Sequence, residues 1–426
     1  MLLYLINSQT YNEHIFTEKG WTMDNNIKID DINKLVFHWP WAGYSGNFFL
    51  DGIMDFHPEL LTIKEFGLSA FGCIYRDVLK NKTVAEGIDL LKHPHTESQK
   101  SLVSTEWDTM FKNARFLSDT ARVPDINDFY EKLEEVLHKK LIPTKLEWFK
   151  GIFLAYNLAL GRSFSVENPP AIFLNMHTIK WPVVDAKKEI WDLLDQFDDL
   201  KIISILRSQL GTLGSVMNAE SYNNGQSEYD YMSYFESILN KTALYADPND
   251  KWYAKRAAVR FEDLKMHLKE TTEALCRFLG IHWDKSMLAT TANGKINGYV
   301  YGGTNTQGLD LKPVHNLHLN AVGYLDFYRL EILKGNYYLP WGYEPKFYDG
   351  VLFSDDELAS LFALPFKFEK FVNSEKQIEI NKAAHKRLES LVRKLKEHPI
   401  PCQNNGQEKI PIKWLKPDIS DDKLFH

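Results

Sequence analysis

The chain has 426 residues, 44% of them hydrophobic and 25% charged, which are ordinary globular values and argue against wholesale disorder. Lys and Arg total 50 and Asp and Glu total 57, so the net charge of −7 argues against bulk nucleic acid as the main partner and offers no polybasic handle for an anionic membrane. Cys73, Cys276 and Cys402 lie far apart and form no CxxC pair, which disfavours a disulfide framework or a structural zinc site and points to a reducing, cytoplasmic setting.

The opening run MLLYLI stops at Asn7 with no basic region before it, too short for a signal segment or a membrane span, and residues 1–32 read as a polar extension. Residues 34–39 predict a short buried strand that runs into a Pro/Gly/Ser loop over 40–47. Phe49, Ile53 and Phe56 then recur at helical spacing until His57-Pro58 ends the helix. Residues 78–165 are mostly helical in pattern, with one helix expected over 126–141. A strand over 171–176 reaches His177, and 184–197 is amphipathic, with Ile190, Leu193, Leu194 and Phe197 on one face. The buried strand over 201–206 delivers Arg207 at its end, and 262–279 reads as one amphipathic helix closed by Gly280. Strands alternating with helices at these intervals imply an α/β fold with a central parallel sheet covered on both faces.

Residues 293–313, rich in Gly, Asn and Thr, read as a functional loop or a poorly ordered segment. Farther on, Ala384, Leu388, Leu391 and Leu395 form a stripe that fits a helix docked on the fold or a homodimer contact, followed by a polar, Pro-punctuated tail. The expected organisation is an extension over 1–32, an α/β domain over 33–345, and a C-terminal helical extension and tail over 346–426.

A strand that ends in a glycine-bearing turn and opens a helix is an anion site in outline. Successive backbone N–H groups point outward, and the helix dipole favours negative charge. Gly43, Tyr44, Ser45, Gly46 and Asn47 form such a turn, with Ser45 and Asn47 as side-chain donors; the plainer alternative is a tight βα turn capped by Asn47. No lysine follows Gly46 and no GxGxxG pattern is present, so a nucleotide kinase with a Walker loop and a nicotinamide dinucleotide enzyme are both disfavoured.

Three motifs in order resemble the sulfotransferase family, over roughly residues 35–345. The stretch Tyr44-Ser-Gly-Asn-Phe-Phe-Leu50 with His57-Pro58 is similar to the family's 5′-phosphosulfate loop, written Lys or Arg followed by Ser-Gly-Thr-Thr-x-Leu, with a downstream His-Pro. Residues 201–207, with Ser215 eight positions after Arg207, resemble its 3′-phosphate strand. Val259-Arg-Phe-Glu-Asp-Leu264 leading to Phe278-Leu-Gly280 resembles its structural RYEDL…FLG helix.

The resemblance implies a P-loop-NTPase-like sulfotransferase fold and a donor, 3′-phosphoadenosine 5′-phosphosulfate (PAPS). A sulfuryl group would pass in line to a hydroxyl or amine of a small-molecule or glycan acceptor, leaving adenosine 3′,5′-bisphosphate, with no metal required. It implies that Tyr44, Ser45, Gly46, Asn47 and Phe48 hold the 5′-phosphosulfate, that Phe49 stacks on adenine, and that Arg207 and Ser215 grip the 3′-phosphate. The base is His177 or Glu65, each at a position where one branch of the family keeps it. The sequence departs from the family pattern where Tyr44 replaces the loop cation, where Asn47 and Phe48 replace two threonines, and where Asn175 replaces a lysine before His177. The loop cation stabilises charge on the departing oxygen. Its replacement keeps open a second reading, a binding or scaffold protein of sulfotransferase fold, and leaves Lys64 as a candidate substitute.

Overall fold

The computed structural model describes residues 27–39, 43–63, 66–111, 123–175, 191–222, 244–296, 299–301, 304–306, 311–367 and 409–419, with isolated positions between 369 and 390. The main elements, in chain order, are β1 (Lys34–His38), α1 (Asn47–Met54), β2 (Leu60–Thr62), α2 (Val84–Lys92), α3 (Ile126–Leu137), α4 (Lys145–Ala159), β3 (Ala171–Asn175), β4 (Asp199–Leu206), α5 (Gln209–Tyr222), β5 (Tyr245–Ala246), β6 (Arg256–Arg260), α6 (Phe261–Met266), α7 (Leu268–Leu279), β7 (Thr291–Ala292), β8 (Lys295–Ile296), β9 (Tyr299–Tyr301), β10 (Thr304–Thr306), α8 (Tyr324–Lys334), α9 (Asp355–Ala363), β11 (Ile410–Pro411) and β12 (Lys413–Trp414). None of the helices among the described residues is long and apolar enough to cross a membrane.

Among the described residues, six strands form one sheet in the order β12-β6-β4-β1-β3-β2. The β2–β3, β4–β6 and β6–β12 ladders are parallel, with Ile203 beside Ala257 and Leu206 beside Arg260. Leu35 to His38 and Ile202 to Leu206 are continuously buried. Such runs are the mark of strands covered on both faces, so the parallel α/β class expected from the alternating pattern is the class observed. The chain divides into two compact units: unit 1 comprises Met1–Val36, Asp51–Leu200 and Ile281–Asn297, and unit 2 comprises Phe37–Leu50, Lys201–Gly280 and Gly298–His426.

In unit 2 the helix expected over 262–279 is two helices. The chain breaks at His267, whose φ of −135° and ψ of 53° leave the helical region. The reason lies in the side chains: Glu262, Asp263 and Lys265 of α6 are all buried, whereas α7 alternates a buried apolar face with an exposed polar one. Gly280 closes α7 in the left-handed region at φ 67°, as expected. The polar tail contributes to the sheet: β12 pairs with β6, β11 pairs antiparallel with β5, and the Trp414 indole donates to Asp263 Oδ2 at 3.2 Å. Leu388 is buried in the main apolar cluster of this unit, with Leu330, Trp341 and Phe362, while Ala384, Leu391 and Leu395 lie outside what is described. Within the 293–313 stretch, β9 and β10 pair antiparallel in this unit, and β8, in unit 1, pairs antiparallel with β7 just before the stretch.

In unit 1, α3 ends at Leu137, short of the expected boundary. Helix α4 starts with a capping box between Thr144 and Glu147 and is buried at every position from Trp148 to Asn157, so it has no solvent face over that span. Of the expected helix over 184–197, residues 191–197 are described: 191–194 are helical and a turn follows, with Leu193, Leu194 and Phe197 buried. A polar knot lies next to α4. Arg162 donates to Asn157 Oδ1 and to the His57 carbonyl, both at 2.5 Å, and its guanidinium lies 4.6 Å from the Phe56 ring centre and 4.9 Å from that of Phe164. Burial lowers the Arg162 pKa to about 10. Asp55 accepts from Thr291 Oγ1 at 2.7 Å, the Gly294 N–H at 3.1 Å and Thr62 Oγ1 at 3.3 Å.

His57, of the His-Pro pair, belongs to this knot. Its Nδ1 accepts the Glu59 N–H at 3.2 Å and its Nε2 donates to the His282 carbonyl at 3.0 Å, an arrangement that needs one ring proton. Burial holds its pKa below the ordinary value of 6.5, against the opposing pull of Asp284 and Glu59. Because the folded pKa is the lower one, the unfolded chain takes the proton first. The contribution of this ring to stability is complete above about pH 6.5 and declines as pH falls. Urea midpoints should therefore drop between about pH 7 and pH 5, and His57→Asn should flatten that slope while lowering stability at neutral pH. Equal slopes in the two proteins would show that folding does not lower the His57 pKa.

Candidate functional site

The site is built in unit 2, where β1 leaves the sheet. The Trp39 N–H donates to the Ile203 carbonyl at 2.8 Å, and the Trp39 carbonyl accepts from Ser204 Oγ at 2.7 Å, so the chain is anchored to β4 as it enters the loop. Tyr44 then takes φ 60° and Gly46 φ 102°. The left-handed region costs a tyrosine about 1 kcal/mol, so something must hold it there. Two contacts do. The Tyr44 ring packs, half-buried, against the apolar cluster that includes Leu206, Leu210 and Leu213, and its carbonyl accepts from Arg207 Nη1 at 3.1 Å.

Ser45 is fully buried and its hydroxyl donates to Asn47 Oδ1 at 3.2 Å, joining the two side chains expected to act as separate donors. Helix α1 begins as the Phe49 and Leu50 N–H groups bond to the Gly46 carbonyl at 3.0 and 3.1 Å. A Cβ at Gly46 would lie 2.4 Å from Phe261 Cδ2 and 3.0 Å from Ile205 Cδ1. Packing on Phe261 and the positive φ therefore each require glycine at this position.

Arg207 leaves the end of β4 and is only 5% exposed. Nη1 donates to the Tyr44 carbonyl and to Ser215 Oγ at 2.8 Å, and Nη2 donates to the Pro313 carbonyl at 2.5 Å. Its Cζ lies 4.9 Å from the centre of the Phe261 ring. Gly211 makes room for it, since a Cβ there would stand 3.1 Å from Nε. A guanidinium carries five donors, so these three bonds leave the Nε hydrogen and one on Nη2, enough for a bidentate contact with an oxyanion. Ser215, having accepted from Arg207, keeps its own hydroxyl proton to donate. The 14-residue helix α5 starts two positions after Arg207, so its positive end lies beside the cation.

Glu262 holds the turn that follows β4. Its Oε1 accepts the Ser208 N–H at 3.0 Å and its Oε2 accepts the Tyr343 hydroxyl at 2.5 Å. Burial pushes the Arg207 pKa down and Glu262 opposes that fall. Burial, reinforced by Glu262, pushes the Tyr343 pKa well above its ordinary range, so the phenol stays a donor. Arg260 lies 4.6 Å from the Tyr343 ring centre and bonds to the Trp341 carbonyl at 3.1 Å. Phe49 and Phe261 meet edge to face at 5.9 Å, with Lys265 Nζ 3.8 Å from the Phe49 ring centre.

The structure thus brings Tyr44, Gly46, Phe49, Arg207 and Ser215 together in one unit, with half-buried Phe48 beside them in the chain. His177, Glu65 and Lys64 lie outside the described residues. Asn175 donates to Asp51 in unit 1. The supporting residues Phe261, Glu262, Lys265 and Tyr343 were not expected to take part. The available signal was the cluster of charges at Glu262, Asp263 and Lys265 amid apolar Val259, Phe261 and Leu264.

No protein-family model matches the chain, and no curated protein sequence matches it. Among solved structures it is similar to a sulfotransferase domain from the curacin biosynthetic pathway, at 13% identity and a TM-score of 0.33, over 66% of this chain and 89% of that one. It is also similar to a sulfotransferase domain from the Synechococcus PCC 7002 olefin synthase, at 15% identity and a TM-score of 0.31, over 63% and 79%. Similarities at this level assign neither a residue nor a reaction.

The loop geometry makes a stability prediction. Gly46→Ala should cost about 1–3 kcal/mol, because the new methyl meets the Phe261 ring and the left-handed backbone is strained. In a Phe261→Ala background the steric part should vanish, leaving about 1 kcal/mol. Denaturant titration of the four proteins gives the coupling, and additive costs would show that the methyl does not meet Phe261.

Proposed function

We propose that the chain is a sulfotransferase in which unit 2 binds PAPS and releases adenosine 3′,5′-bisphosphate. The observation that carries this reading is the 2.8 Å bond from Arg207, two positions before α5, to Ser215 within it, from a nine-tenths-buried guanidinium that keeps two donors in reserve. A buried cation with unspent, correctly paired hydrogens beside a helix N-terminus is complementary to a phosphate monoester. In this reading Arg207 and Ser215 hold the 3′-phosphate. The turn from Tyr44 to Phe48 offers main-chain N–H groups to the 5′-phosphosulfate, and the Phe49 ring takes the adenine. PAPS supplies the sulfuryl group, and the acceptor hydroxyl or amine, on a small molecule or glycan, loses its proton to His177 or Glu65.

One observation favours a second reading, a binding or scaffold protein on this fold. The residue in place of the loop cation, Tyr44, is uncharged, and its ring is committed to the apolar cluster. A phenol packed in this way does not neutralise charge on a departing oxygen.

Calorimetric titration with adenosine 3′,5′-bisphosphate tests the binding half. Arg207→Lys should weaken binding roughly thirtyfold, as expected for about 2 kcal/mol lost with a bidentate contact, and Ser215→Ala about fivefold. Absence of wild-type binding at sub-millimolar concentration would sink the proposal. Binding without sulfuryl transfer across a broad acceptor panel would favour the scaffold reading, and a gain of transfer in Tyr44→Lys would identify the missing charge as the defect.

A further inference from the structure

The segment 311–318 is fastened to this site from two sides. Its Pro313 carbonyl accepts from Arg207 Nη2 at 2.5 Å. Its other end lies against α5 one residue before Ser215, since a Cβ at Gly214 would stand 2.3 Å from the Leu317 carbonyl oxygen and 3.5 Å from His318 Cβ. Glycine at 214 is thus what lets this segment reach the helix. The His318 backbone is pinned in the left-handed region at φ 52°. Its N–H donates to Asn316 Oδ1 at 2.8 Å, and its carbonyl accepts from Ala321 and Val322 at 2.9 and 3.1 Å. The His318 ring is half-buried and makes no hydrogen bond among the described residues. The His318 side chain thus stands against α5 one residue from Ser215, with its imidazole uncommitted and within electrostatic reach of Arg207.

We propose that His318 is a third ligand of the phosphate held by Arg207 and Ser215, and that it takes up a proton when that phosphate binds. The inference rests on the reading of Arg207 and Ser215 as a phosphate site, and adds to it a residue and a coupled proton. The groups around the ring all point the same way. Burial and the charge of Arg207, from the end of β4, hold its pKa below the ordinary value of 6.5. On its own segment His315 is exposed, and from beyond α8 the Lys367 ammonium bonds to the Leu319 carbonyl at 2.5 Å. Asp326, the carboxylate at the start of α8, is taken up by Arg329 at 2.6 Å and by the Gly323 and Lys367 N–H groups. Without ligand the ring therefore stays neutral. A phosphate dianion on Arg207 cancels the repulsion and supplies an acceptor, so the ring gains a proton from solvent and donates it as a charge-assisted hydrogen bond. The sign follows from linkage: a group whose pKa rises on binding makes binding tighter as pH falls toward that pKa.

The full chain is titrated calorimetrically with adenosine 3′,5′-bisphosphate at about pH 7, in two non-phosphate buffers of different ionisation enthalpy, and the proton count is read from the difference. Wild type should take up a substantial fraction of one proton and bind more tightly at about pH 6.5 than at about pH 8. His318→Asn, chosen because asparagine tolerates the left-handed backbone, should lose the uptake and the pH slope and bind roughly tenfold more weakly. Adenosine 5′-monophosphate, which lacks the 3′-phosphate, should cause no uptake. The imidazole signal missing from the His318→Asn spectrum should titrate at higher pH once wild type is saturated with the bisphosphate; His318→Gln serves if the asparagine variant does not fold. Arg207-dependent binding with the same uptake in the variant, uptake with the monophosphate, or an imidazole titration unmoved by saturating ligand would overturn the role of His318 alone. If wild type binds no bisphosphate, the phosphate reading falls and this inference with it.

Discussion

A guanidinium buried at the head of a helix must find hydrogen-bond partners from several directions at once, or the fold does not close around it. In this chain Arg207 finds them 163 residues back at the Tyr44 carbonyl, 8 residues on at Ser215, and 106 residues on at the Pro313 carbonyl. The glycines at 46, 211 and 214, the strained backbone of Tyr44, and the Phe261 ring beneath the charge are all conditions for placing that one cation. Glu262 then secures the turn that carries it, through the Ser208 N–H and the Tyr343 hydroxyl. Disturbing any one of these residues is felt by the others, because they share a single buried charge.

The parallel sheet was legible in the sequence because its strands are short apolar runs set between turn residues and helical patterns, and the period of side chains is enough to find them. Arg207 and Ser215 were legible for a related reason: a strand end and a helix turn eight positions apart are both local features, and the resemblance joins them. What escaped was everything set by distant packing. The break at His267 depends on which side of α6 faces inward, and the sequence alone shows three charges that look solvated. Gly46 also answers to Phe261, a residue more than two hundred positions away whose ring leaves no room for a Cβ. The polar tail carries little apolar pattern, so its pairing with β6 was invisible to periodicity.

Tyr44 shows how a replacement can be stabilising and functional questions at once. In the left-handed backbone its side chain is carried toward the apolar cluster, where the ring is held by Leu206 and its neighbours. The same conformation turns its carbonyl to Arg207. A lysine in its place would keep the carbonyl contact and surrender the packing, so loop charge and loop rigidity compete for one position.

Strand β12 has a consequence for how the molecule comes into being. The Trp414 indole meets Asp263 across 151 residues, and Ile412 is tied by its N–H to the Leu244 carbonyl at 2.9 Å. On the ribosome, the Arg207 strand, its helix and the Phe261 turn are all made long before this edge exists. Unit 2 must therefore wait, with β6 lacking its outer neighbour and a row of strand hydrogen-bonding groups exposed, until residues near 415 emerge. Contacts of such high sequence separation slow folding, so during synthesis the nascent chain carries an open sheet edge that the finished fold conceals.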